Sequence, residues 1–583
     1  MHSSSPPTPR GSWQLSSRSL RFLQGAVIIV ALLPVVFMAW QSANLLQNMP
    51  MWDEFETVLA FLVNYRASTS VEESVRAFFA TANEHVVLTS RLLMVLLYEV
   101  TGKINFEYLA IIGNAFMLGV VFLIGRQEKK RGFGLFCAAI ASLLIFHMQH
   151  YENLFSSYAS IDHFQVVFLT TACLIMVLQE GAWRLFAGAV LATLAVFTLA
   201  HGVAVVVVAG GALLLQRRTR AFFIWSGIGT VLVAVFFWRL GLFSPTPSSL
   251  NPAKMPNIGA WLSYWLTMVG GVPAIGHPRI ALVSGVFALI TTGLLLVRGG
   301  FRRDPFLITL ALNSILACAF IAYGRVNAEG VSALSSRYMV QSAMIWIALS
   351  VLLVKSLPQP KLTVIGSSVL VALAIGLNIA ANQQFSEEAH RFVQRRIDAA
   401  RYYDERGTFE GLRTPIFPRS QKADLIVQTA ERTRIFEIEA EDSSEVMFPG
   451  NLTLFPIIFH FDKVTVASEN VHVRGWMLTK DQISTDLEAH LLLEQENHRY
   501  LFRAFPEPRP DVAAANPGRT DTETCGFYYV IPKDSLAPGT YTLKVVYIGP
   551  RRLLYNNTPQ TIAITEGANT PQRQSHDSIV KAP

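Results

Sequence analysis

Asp53 and Glu54 stand side by side in MWDEFETV (51–58), a few residues after the first long apolar run of the chain. A carboxylate at such a border can take a proton from a hydroxyl within hydrogen-bond reach. Glu84, His85 and Arg91 follow in NEHVVLTSRLL (83–93). QHYENLFSSYASIDH (149–163) carries His150, Glu152, Asp162 and His163, and His201 separates two apolar half-runs. GRVNAEGVSALSSRYMVQS (324–342) supplies Arg325, Arg337 and Tyr338. Guanidinium groups hold anionic oxygens in pairs. Ionisable groups in or beside hydrocarbon are costly to place and mark functional sites.

The same residues have structural tasks open to them. An acid at a helix start caps exposed N–H groups and suits the helix dipole, although one of two would suffice. Arg91 and Arg337 could snorkel to headgroups. His201-Gly202 could be a tight turn between spans, and His147 and His150 interfacial residues.

The elements that must position these groups follow from composition. The 583 residues are 51% hydrophobic and 15% charged, with a mean hydropathy of +0.37. Soluble domains carry about a quarter charged residues, so the chain reads as a membrane protein. Its net charge of +7 is small for this length and implies no nucleic-acid partner. Cys137, Cys173, Cys318 and Cys525 form no disulfide framework or zinc spacing.

A spanning helix needs about 20 mostly apolar residues. Such runs lie near 22–44, 106–125, 133–148, 163–179, 185–200, 202–216, 221–243, 280–297, 305–323, 339–354 and 362–380, about eleven spans in all. The stretch 86–100 is short and interrupted by Arg91. If it does not cross, the inner segments hold 16 Lys and Arg and the much longer outer ones hold 8. If it crosses, RQEKKR (126–131) and QRRTR (216–220) move outside, against the positive-inside rule. The stretch 86–100 therefore dips into the outer leaflet, with the N-terminus cytoplasmic and the C-terminus outside.

A long first outer loop, 45–105, results. Phe55, Val58, Leu59 and Leu62 repeat at helical spacing, as do Val71, Val75, Phe78 and Phe79. These spacings predict two helices resting on the outer surface. Ser70 and Glu73 form a capping box for the second. GAWLSYWLTMVGG (259–271) reads as an interfacial aromatic anchor.

The expected organisation is a disordered cytoplasmic tail (1–21), a transmembrane domain (22–382), a connecting helix and linker (383–429), a β-domain (430–566) and a disordered tail (567–583). The β-domain rests on short alternating runs such as VTVASENVHVRGWML (464–478) and GTYTLKVVYI (539–548). The fold class is thus mainly α: a polytopic transmembrane helical bundle followed by a small periplasmic β-sandwich-like domain.

In the order and sidedness of these segments, residues 20–400 resemble the GT-C class of membrane glycosyltransferases, in a bacterial envelope form. The carrying features are MWDEF after the first helix, NEHVVLTSRLL at the end of the first loop, the acidic connection 149–163 and the segment 324–342. The resemblance implies an inner-membrane enzyme that takes a sugar from a polyprenyl-phosphate carrier on the periplasmic face. It implies Asp53 as base, with Glu54 second, and Arg91 and Arg337 as phosphate partners. Glu84, His85, Glu152, Asp162 and His163 would orient the acceptor sugar or tune the base, with Arg325 and Tyr338 also at the substrate.

Neither acidic site has the Asp-x-Asp spacing of the metal-dependent branch, so no metal and no further cofactor is expected. The HPP motif of protein mannosyltransferases and lipid A aminoarabinose transferases is absent, which leaves an envelope polysaccharide of O-antigen or capsule type as acceptor. Two other functions compete. A polysaccharide polymerase or ligase usually places its key arginines in a large late loop, whereas the large loop here comes first. A transporter or flippase would show internal repeats and mid-membrane charges, and neither is visible. No P-loop, dinucleotide fingerprint or nucleophile elbow is apparent.

Overall fold

The computed structural model describes residues 17–81, 85–129, 132–239, 257–327, 332–410, 412, 416–438 and shorter stretches between 453 and 564. Glu84 and both terminal tails as far as 16 and from 565 lie outside the described residues. The chain divides into two compact units. The first is Met1–Ala399 with Thr408–Glu410 and Pro415–Ile438; the second is Ala400–Gly407, Gly411–Thr414 and Glu439–Pro583.

The first unit is helical. Among the described residues, eight helices are long and apolar enough to cross a membrane: Gln24–Leu45, Phe106–Lys129, Ser157–Val177, Thr219–Trp238, Pro278–Val297, Pro305–Arg325, Ser336–Lys355 and the start of Pro360–Asp404. The expected span at 133–148 is instead a pair, Gly134–Ile145 and Met148–Phe155, bent by 59°. Two asparagines account for the break, because a bent helix frees main-chain groups that hydrocarbon cannot satisfy. Asn378 Nδ2 donates to the carbonyls of Leu143 (2.8 Å) and Phe146 (3.0 Å), and Met148 N–H donates to Asn382 Oδ1 at 2.9 Å. The runs at 185–200 and 202–216 form the shorter helices Ala182–Val196 and Ala200–Leu215. The 14-residue helix Leu88–Thr101 fills the 86–100 stretch. At 1.5 Å per residue it is about 21 Å long, short of the hydrocarbon core.

Helix contacts are fixed by small residues and by indole groups. A Cβ on Gly270 would stand 1.9 Å from the Ala281 carbonyl oxygen, and one on Gly285 would stand 1.9 Å from that of Leu266. Only glycine lets these backbones touch. Trp261 and Trp265, in the segment expected to be an interfacial anchor, stack at 5.4 Å. Their indole N–H groups donate to the carbonyls of Ala319 (3.2 Å) and Ile315 (2.9 Å), which ties Ile258–Val269 to Pro305–Arg325. At one end of the bundle Lys355 pairs with Glu128 and, at 2.8 Å, with Asp304, all three almost fully buried. Such a charge set is tolerated in a low dielectric only because its members satisfy one another.

The segment between Gln24–Leu45 and Leu88–Thr101 folds into Phe55–Ala60, Phe61–Ala67 and Val71–Phe78. Ser70 caps the last by accepting from Glu73 N–H, and Glu73 reaches back to Thr69 N–H at 2.7 Å. Val71 and Val75, one turn apart, are exposed on its surface. The expected linker 383–429 contains more order than its composition suggests. One helix runs unbroken from Pro360 to Arg406, and Ser420–Arg432 packs on Phe55–Ala60 with Lys422 paired to Glu56.

Among the described residues the second unit contains ten strands: β1 (Thr453–Leu454), β2 (Ile457–Val466), β3 (Asn470–Thr479), β4 (Glu488–Glu494), β5 (Arg499–Arg503), β6 (Phe505–Glu507), β7 (Gly526–Pro532), β8 (Gly539–Gly549), β9 (Arg552–Asn556) and β10 (Thr561–Ile564). One sheet runs β1-β9-β8-β4-β5 with β10 beside β8; the other runs β2-β3-β7-β6. Alternate residues of both sheets, among them Val471, Val473, Phe527, Leu491, Leu493 and Val545, enter one apolar core, as a two-layer sandwich requires.

Candidate active site

Asp53 is presented by an unusual turn. Trp52 has φ 53°, a left-handed conformation that a bulky side chain adopts only under constraint. The constraint is visible: Trp52 N–H donates to the Ile416 carbonyl at 2.7 Å. The Asp53 carbonyl accepts from Thr57 N–H (2.8 Å) and Thr57 Oγ1 (2.6 Å). This bonding fixes the turn through the main chain. A second strained residue, Val87 at φ 48°, follows His85 closely, and Leu88 N–H donates to the Phe197 carbonyl at 2.8 Å. Strain of this kind concentrates where a site must be held open.

Asp53 lines a cavity of about 80 Å³ together with His85, Tyr158, Asp162, His163, His201, Arg325, Arg337 and Tyr338, and with Ala159, Leu199 and Ile321. Residues far apart in the sequence meet here because helix ends converge. Asp53 follows Gln24–Leu45, Arg325 closes Pro305–Arg325, Arg337 opens Ser336–Lys355, and Asp162 lies near the start of Ser157–Val177. Both Phe55–Ala60 and Ser160–Phe164 are π-helical, a winding often found at functional sites.

The walls are charged and ordered. Arg337 donates from Nε to Glu152 Oε2 at 3.0 Å, and its main-chain N–H reaches the same oxygen at 3.2 Å. Ser335 Oγ adds a third bond to that carboxylate, and Asn153 Nδ2 holds the Arg337 carbonyl. Glu152 therefore stands behind Arg337 and orients it. Among the described residues no hydrogen bond engages the terminal guanidinium nitrogens of Arg337. Asp162 is buried; its Oδ1 accepts from Ser90 Oγ, and the Tyr158 side chain also stands at its carboxylate. The His163 ring lies 6.1 Å from that of His201 and 5.8 Å from that of Tyr338.

His85 Nδ1 accepts from Ala200 N–H at 3.2 Å. That bond leaves Nε2 as the protonated nitrogen. Burial, with a contribution from the Arg325 guanidinium, pushes the imidazole down from 6.5 to about 3. The folded protein therefore keeps His85 neutral while the unfolded chain takes up a proton below about pH 6.5. The stability this group contributes is complete above that pH and is lost as pH falls toward 3. Thermal unfolding of purified protein between about pH 7 and pH 4 should show a falling midpoint. His85→Gln should flatten that fall, and an equal slope in both proteins would refute the assignment.

Three expected site residues stand elsewhere. Among the described residues, Glu54 lines neither of the two cavities that Asp53 borders. It is buried and saturated, with Oε2 on Met51 N–H (2.8 Å) and Arg396 Nη2 (3.0 Å). Its Oε1 accepts from Ser156 Oγ, Ser157 Oγ and Tyr158 N–H. Glu54, expected as second base, is thus engaged by five donors of the protein itself. Arg91 is also buried; its Nη1 donates to the carbonyls of Phe78, Ala80 and Val86. It ties the first loop to Leu88–Thr101 and lies in a neighbouring cavity rather than beside Arg337. Glu152, the third, acts through Arg337.

Two residues escaped the sequence. Tyr158 carries a signal in hindsight, standing four residues before Asp162 on a helical segment. Arg396 carries none; it is one basic residue among several in RFVQRRIDAAR (391–401). Among the described residues no three His, Cys, Asp or Glu side chains are grouped as a metal ion would need. No protein-family model, curated protein or solved structure matches the chain.

Proposed function

We propose that the protein is an inverting membrane glycosyltransferase of the GT-C class, moving a sugar from a polyprenyl-phosphate carrier to an envelope glycan at the periplasmic face of the bacterial inner membrane. The observation that carries this reading is that Asp53 lines one cavity with two guanidinium groups, Arg325 and Arg337. A base and a paired cationic surface are what displacement at a sugar phosphate requires.

The acceptor hydroxyl attacks the anomeric carbon and gives its proton to Asp53. The bond from that carbon to the phosphate oxygen breaks, and its electron pair leaves with the lipid phosphate. Arg337, oriented by Glu152, and Arg325 offset the charge that grows on the leaving oxygen. His85, neutral with Nε2–H available, donates without adding charge. The arginines supply the positive charge that a metal provides elsewhere, so the reaction proceeds without one. In this reading the two short apolar helices and the bent pair also cross, giving eleven spans, and the β-sandwich is periplasmic.

The test is a transfer assay with the purified full-length protein in nanodiscs, decaprenyl-phosphate hexoses as donors and octyl hexosides as acceptors. The product's anomeric configuration, read by NMR, should be opposite to the donor's. A product with retained configuration, or no transfer with any donor of a broad hexose panel, would sink the proposal.

A further inference from the structure

The cavity that Asp53 shares with Arg325 and Arg337 holds a second carboxylate, Asp162, and a phenol, Tyr158, to which the proposed reaction gives no task. The two stand four residues apart near the start of Ser157–Val177. Asp162 Oδ1 accepts from Ser90 Oγ, and the Tyr158 hydroxyl donates to the same carboxylate. Tyr158 is also fixed through its main chain, whose N–H donates to Glu54 Oε1 at 3.1 Å. The turn that follows is braced from outside. A Cβ on Gly113 would stand 2.2 Å from Ser160 Oγ, so only glycine lets Phe106–Lys129 approach Ser160–Phe164 this closely.

The hydrogen-bond chemistry of this corner is one-sided. A carboxylate only accepts, at about four lone-pair sites, and Ser90 and Tyr158 occupy two. A phenol that donates its proton to the carboxylate has only oxygen lone pairs left to offer. A ligand group held here must therefore be a donor.

We infer that Asp162 and Tyr158 bind the C2 hydroxyl of the sugar being transferred, so that the donor is a hexose with that hydroxyl free rather than a 2-deoxy sugar. The inference rests on the proposed reaction, which gives the carrier phosphate to Arg325 and Arg337. At about 80 Å³ the cavity is small, and the sugar atoms that share it with the phosphate are those next to the anomeric carbon. Of the ring hydroxyls, the one on C2 is the nearest to that carbon. A hydrogen bond to it strengthens as positive charge develops in the transition state, so it speeds the chemical step more than it tightens binding.

Deoxygenated donors separate this inference from the reaction it rests on. Full-length protein in nanodiscs is given a decaprenyl-phosphate hexose, its 2-deoxy analogue and its 6-deoxy analogue, with an octyl hexoside as acceptor. Removing the electron-withdrawing oxygen beside the anomeric carbon makes a glycosyl donor intrinsically more reactive, so a slower 2-deoxy reaction has to come from lost recognition. The parent should transfer the 2-deoxy sugar about 10²-fold or more slowly than the hexose, mainly through kcat, and the 6-deoxy sugar at about the hexose rate. Tyr158→Phe removes one oxygen and Asp162→Asn keeps the side-chain shape. Each should slow the hexose and spare the 2-deoxy sugar, narrowing the gap to about tenfold or less. Equal parent rates for hexose and 2-deoxy sugar overturn the inference and leave the reaction standing. An undiminished gap in both variants, or equal slowing of all three donors, does the same. No transfer from any donor removes the inference and the reaction together.

Discussion

If the protein is the proposed glycosyltransferase, Asp53→Asn should lower sugar transfer by about 10²–10⁴-fold, while the variant should still insert and purify. Both halves follow from the geometry. The turn that presents Asp53 is held by its carbonyl, which bonds Thr57 N–H and Oγ1, and by the main chain of Trp52. Asparagine keeps these bonds and the side-chain shape but cannot take the hydroxyl proton. The Michaelis constant for the donor should change little, because the proposed reaction gives the phosphate to Arg325 and Arg337, which line the cavity with Asp53. Initial rates across donor concentrations check this, and transfer within a few-fold of the parent's would remove Asp53 as base.

Glu54→Ala gives the opposite pattern, with stability lost before chemistry. Glu54 and Arg396 are 1% exposed, and Arg396 also donates from Nη1 to the Met49 carbonyl at 2.8 Å. Removing the carboxylate strands a guanidinium away from water and frees three donors near Ser156–Tyr158. Breaking a buried pair in this way costs about 3–5 kcal/mol, enough to deplete folded protein. Replacing both partners, as Glu54→Gln with Arg396→Met, removes both charges together and should recover most of the loss. Thermal unfolding in detergent distinguishes the cases. A single variant within about 1 kcal/mol of the parent would mean the pair is not the clamp described.

The pair also explains why one of two adjacent acids lines the cavity and the other does not. Nothing in MWDEF ranks Asp53 above Glu54. Their difference is decided by Arg396, which arrives from a helix far along the chain, and by the Ser156-Ser157 turn. Arg91 is a parallel case. Its position beside an apolar stretch suggests snorkelling or phosphate binding, and the structure shows its Nη1 bonded to three loop carbonyls. In both, the charge was conspicuous in the sequence and its partner was not.

Spanning helices are largely legible because hydrocarbon imposes a length and a composition on them. Phe106–Lys129, Pro278–Val297 and Pro305–Arg325 coincide with their apolar runs to within a few residues. The break after Ile145 is less so, since the run stays apolar through it. What permits the bend is the pair Asn378 and Asn382 on another helix.

Composition and hydropathy alone make the chain read as a mostly helical, multi-pass membrane protein ending in a strand-rich unit, and they mark the ionisable residues that apolar surroundings make expensive. Those are local properties, set by side-chain type against solvent. Only the tertiary structure decided which charges meet and which are spent on one another. Asp53, Arg325 and Arg337 converge on one cavity, while Glu54 is paired with Arg396 and Arg91 is bonded to loop carbonyls outside it. The physical reason is that pairing energy in a low dielectric depends on distance in space, and separation along the chain does not report it.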